Sequence, residues 1–146
     1  MQKVTLNHAI QAYQQIRASN ATLKEMFTVW LRDNKIGEPC VDPSYPDVFE
    51  ILGKKIQITL TPCASDRLLG KVAFNLFELE PDSGAISRQL LFELYLDSFE
   101  QLALKMSQVS HYEPDYLLTD EYSLKKYLFA DVLKAFFAHY GVETIT

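Results

Sequence analysis

The sequence predicts an α+β fold. It reads as a four-stranded antiparallel sheet with helices packed on one face, in the order α-α-β-β-β-β-α-α. Two observations carry this reading. Apolar residues recur at helical spacing near both ends of the chain, and the middle alternates apolar and polar residues around two glycine-containing turns. The 146 residues, 48% hydrophobic and 23% charged, are enough for one core and unlike a disordered composition. A single α+β domain over residues 1–146 is expected.

Two helices open the chain. Thr5 is placed to cap the first, and Leu6, Ile10 and Tyr13 follow helical spacing. Ser19-Asn20 reads as an interruption, with Asn20 capping a second helix. In that helix Leu23, Met26, Phe27, Trp30 and Leu31 form an apolar stripe, which Gly37 ends. The proline-rich stretch from Gly37 to Asp47 reads as a loop, long enough to be a functional candidate.

A hairpin follows. Val48–Leu52 and Lys55–Thr61 flank Gly53-Lys54, a two-residue loop suited to a type II′ turn, which sets Ile51 opposite Ile56 and Phe49 opposite Ile58. A longer hairpin turns at Pro81–Gly84. A three-residue loop there pairs Leu76 with Leu90, Phe74 with Phe92 and Val72 with Leu94. The even alternative pairs Asn75 with Leu90, so the three-residue loop is preferred. Phe77 and Leu79 fall on the opposite face and mark either a bulge or an exposed patch.

Ser98 to Gln101 resembles a capping box, predicting a short helix over 99–109. A loop over 110–118 leads to a long helix over 120–140, capped by Thr119 and closed by Gly141. The tail from Val142 to Thr146 has room to add a fifth, edge strand.

Charge narrows the function classes. The net charge is −5, and residues 92–121 hold seven acids against Lys105 alone. No basic stripe is present, so a nucleic-acid partner is not expected. Unbroken apolar runs are short and no signal-peptide pattern opens the chain, so neither a membrane span nor export is expected. Cys40 and Cys63 read as two reduced thiols in a cytoplasmic protein.

Catalytic motifs are missing. His8, His111 and His139 lie far apart, and no metal-ligand spacing or phosphate-binding glycine loop occurs. No catalytic residue, metal or cofactor is assigned. The densest chemistry is an interaction loop of His111, Tyr112, Glu113, Asp115 and Tyr116, followed by Tyr122. Tyrosines offer rigid amphipathic contacts, and acids offer a charge pattern for a partner.

The final helix is apolar over more than one stripe. Tyr127, Phe129, Leu133, Phe137 and Tyr140 form a candidate interface, covered by the front helices, by a second copy or by another partner. The expected function is therefore a non-enzymatic protein-interaction module, either a homodimer or the acidic partner of another protein. The alternative is a small-molecule binder with an apolar cavity lined by Trp30, Phe74, Phe92 and Phe136.

Overall fold

The computed structural model describes residues 3–41, 44–106 and 114–145. The α+β class and the antiparallel sheet are present, but the expected element order and strand count are not. A curled, half-barrel sheet of seven antiparallel strands follows one long N-terminal helix. The strands are β1 (Gly37–Pro39), β2 (Val48–Ile51), β3 (Lys54–Ala64), β4 (Leu68–Leu79), β5 (Ile86–Leu96), β6 (Gln101–Ala103) and β7 (Tyr116–Leu117), and they lie in sequence order across the sheet.

The two expected front helices are one, α1 (Leu6–Asp33). Thr5 Oγ1 caps it by accepting the His8 N–H at 3.2 Å. Ser19 and Asn20 do not break it. Their propensity cost is about 0.5 kcal/mol each, while a second start would leave four more N–H groups unpaired. Ile16, Asn20, Leu23, Phe27 and Leu31 form one continuous buried stripe. The helix ends at Asp33, and Lys35 rather than Gly37 is the left-handed residue beyond it. Lys35 takes a left-handed φ of 57°, and the Ile36 N–H reaches back to the Leu31 carbonyl at 3.0 Å.

The stretch after α1 is not all loop. Gly37–Pro39 pairs with β2 as an edge strand, where a proline is tolerated. In the first hairpin the turn is Leu52-Gly53, with φ of 49° and 83°, so it is type I′. Phe49 therefore pairs with Ile56 rather than Ile58. The slip is two residues, an even number, so the expected apolar face survives.

The second hairpin uses both registers weighed from the sequence. Phe74 pairs with Phe92 and Val72 with Leu94, but a bulge after Phe74 shifts the outer half, so Asn75 pairs with Leu90. Leu76 meets Gln89 instead of Leu90. Phe77 is buried on the outer face under Tyr45, with the Arg88 guanidinium 5.6 Å from its ring centre.

Residues 99–105 form no helix; Met106 alone among the described residues of 99–109 is helical. Asp97 decides this. Its side chain is fully buried, and Oδ1 accepts the N–H groups of Phe99 and Gln101 at 2.8 and 2.9 Å. Oδ2 lies 3.2 Å from the Arg67 guanidinium. Glu100 takes a φ of 62°, the chain reverses, and β6 returns along β5. Phe99 points outward. The last helix, α2, comprises Glu121–Ser123, a π-turn over Leu124–Leu128, and Phe129–His139. Asp120 caps it, not Thr119, and residues 142–145 form no strand.

Helices α1 and α2 fill the same face of the sheet. The Phe27 ring meets Phe49 and Phe74 from the sheet and Phe129 from α2, at 5.2 to 5.6 Å and steep interplanar angles. Close approach of α1 depends on Gly70 in β4. A Cβ there would overlap Ile16 Cγ2 and stand 2.8 Å from Leu60 Cδ1. Gly70→Ala is expected to cost about 1–3 kcal/mol by overpacking, read from urea denaturation. The same change should cost less in an Ile16→Ala background, where the obstructing methyl is gone.

Candidate functional site

β3 is longer than its neighbour. Its eleven residues meet only four from β2, and the pairing ends at Val48 with Gln57. One further bond, Ile58 N–H to the Asp47 carbonyl at 2.9 Å, closes that end. Beyond it, among the described residues, no strand pairs with this edge. Along a strand the N–H and C=O of one residue point to the same side, and the sides alternate. Ile58 faces the open edge, so Leu60 and Pro62 face it too. Pro62 has no N–H, which leaves the Leu60 amide as the outward donor between them.

A groove of about 750 Å³ runs beside this edge. One wall is the flank of α1, with Tyr13, Gln14, Arg17, Asn20 and Lys24. The other is Gln57 to Leu60 of β3. Lys24 Nζ bonds to Asp47 Oδ1 at 2.8 Å and closes one end. At the other end a second depression of about 360 Å³ shares Tyr13, Gln14 and Arg17 and adds Pro62 and Leu68. From Gln57 to Pro62 the strand edge spans roughly 17 Å.

Asn20 is the unusual residue in this wall. It is 6% exposed, and its Oδ1 has no hydrogen-bond partner among the described residues. Ser19 Oγ is buried in the same condition. Each such atom costs about 1–3 kcal/mol when its partner is missing. Arg17, one turn earlier, makes no ion pair among the described residues. The Tyr13 hydroxyl is held above its ordinary pKa, chiefly because burial disfavours the phenolate, with Arg17 pulling it down.

The residues singled out from the sequence lie elsewhere. His111, Tyr112 and Glu113 fall outside the described residues. Asp115 Oδ2 accepts the Leu104 N–H at 2.6 Å and so braces the end of β6. Tyr116 starts β7, half-buried, its hydroxyl raised mainly by burial. Tyr122 is exposed, and its hydroxyl accepts from Lys126 Nζ at 2.9 Å. In α2, Phe129 is fully buried, whereas Leu133 and Phe137 line a slot of about 190 Å³ with Trp30. Tyr127 and Tyr140 are exposed. Phe74 and Phe136 are buried, and Phe92 packs edge-on to Phe74 at 6.2 Å.

Asn20 taken as a helix cap gives no hint of the groove. A signal was available: Asn20 is four residues after Ile16 and three before Leu23, so it stands in the apolar stripe. Among the described residues no group of three His, Cys, Asp or Glu side chains is placed to hold a metal ion. Comparison of the chain with models of known protein families, with curated proteins and with solved structures returns no match.

Burial also raises the Tyr95 hydroxyl, with help from the nearby Glu93 carboxylate. Tyr13, Tyr95 and Tyr116 therefore all hold their protons more tightly when folded. Stability from this source is complete below the unfolded value of about 10 and is lost as pH rises through the raised folded values. Urea midpoints measured from pH 8 to 11 should fall above pH 10, and less steeply in Tyr95→Phe.

Proposed function

We propose that this chain is a non-catalytic protein-interaction module that binds an extended segment of a partner along the open edge of β3. The carrying observation is the length mismatch between β3 and β2, with a groove beside the unpaired portion. Strand addition uses the backbone donors and acceptors that such an edge offers. Among the described residues no helix is long and apolar enough to cross a membrane, which is compatible with a cytoplasmic location.

The groove reading is tested by selecting binders from a displayed library of random nine-residue peptides. Selected peptides should shift the Ile58 and Leu60 backbone amide resonances. Leu60→Pro removes the outward N–H while sparing the ladder to β4, so it should weaken binding at least tenfold. Leu60→Val, which keeps the N–H, should not. Peptides whose shifts map away from β3, or a library that yields none, would remove this reading.

Self-association through α2 is a second reading, favoured by the apolar slot of Trp30, Leu133 and Phe137 beside exposed Tyr127 and Tyr140. Sedimentation should then show a dimer that Leu133→Glu converts to monomer. A wild-type monomer at all concentrations would eliminate it.

A further inference from the structure

We infer that the groove takes an acidic, extended segment of another protein, with Asn20 holding one of its backbone amides and Arg17 one of its carboxylates. This rests on reading the groove as a site of strand addition. An added strand has two backbone edges. The Leu60 amide and the carbonyls of the β3 edge satisfy the near one. On the α1 wall of the groove, Asn20 Oδ1 is buried and lacks a donor among the described residues. A peptide N–H is a donor of the right kind, and the neighbouring carboxamide nitrogen suits the carbonyl of the same segment.

Charge selects the side chain. Arg17 stands where the two depressions share residues, and it makes no ion pair among the described residues. Lys24, by contrast, is occupied by Asp47. Residues 1–35 hold five basic and two acidic residues, so the N-terminal part is positive while the chain as a whole carries −5. A carboxylate beside Arg17 gains a paired, two-pronged contact that a lysine side chain on the ligand would lose. The same edge is protected against promiscuous pairing by Pro62, which removes one donor. Specificity therefore falls to the side-chain wall rather than to the backbone alone.

The test uses the full chain, labelled with nitrogen-15, and three blocked heptapeptide pools rich in Val and Thr. The pools differ only in a central Asp, Asn or Lys. The Asp pool is expected to bind at least tenfold more tightly than the other two, shifting the Leu60 backbone amide and the Asn20 side-chain amide together. Arg17→Glu should move the preference to the Lys pool. Asn20→Leu should lower affinity at least tenfold without lowering the thermal midpoint, because it removes a buried polar atom that lacks a partner. Should that variant fold poorly, Asn20→Ala supplies the same affinity reading. Equal binding of all three pools with the Leu60 shift intact overturns the acidic specificity and leaves strand addition standing. Unchanged affinity in the Asn20 variants overturns its role. No Leu60 shift with any pool overturns both readings.

Discussion

The close approach of α1 to the sheet at Ile16 and Gly70 is the contact on which the rest depends. Each strand is paired to the next through a local connection, but a curled sheet with one apolar face cannot stand alone in water. The helix fills that face, and it reaches the sheet because β4 offers a backbone surface where a side chain would obstruct it. With α1 at that distance, Phe27 enters the ring cluster of Phe49, Phe74 and Phe129, and α2 closes over it. The helix is one continuous rod, so the same placement sets Tyr13 to Lys24 beside the edge of β3.

The open edge has a cause on the other side of the sheet. Tyr45 packs on Phe77, the Gln57 amide donates to the Pro46 carbonyl at 3.2 Å, and Arg88 donates to Gln57 at 2.7 Å. These contacts hold the turn before β2 against the outer face. Asp47 takes a φ of 60° there, so the extended backbone of β2 starts only at Val48. β3 runs on without its partner because its far side is fully laddered to β4, through Ala64 with Leu68.

In the binding proposed for the groove, Asn20 sets recognition against stability. An apolar residue in its place would suit the stripe around it and leave no oxygen without a donor. Buried polar atoms of this kind are uncommon in folded proteins. The position also gives a rigid platform, since the side chain projects from the middle of a 28-residue helix packed on the sheet.

Periodicity and turn chemistry by themselves determined the α+β class, the antiparallel middle, the Thr5 cap, the apolar face of β2 and β3, and that of β4 and β5 only on the inner side of the bulge, where Val72 and Phe74 meet Leu94 and Phe92. These depend on neighbours a few residues away. Tertiary structure decided the rest. Ser19-Asn20 looks like a break locally, yet packing along Ile16, Leu23 and Phe27 carries the helix through it. Ser98 to Gln101 looks like a helix start, yet buried Asp97, facing Arg67 from thirty residues earlier, claims the amides and turns the chain into β6. Both hairpins shifted register because bulges and primed turns exchange one pairing for another at small local cost, and the core chooses between them. The groove was least legible of all. It exists only because a helix and a strand edge, more than thirty residues apart in sequence, are held side by side.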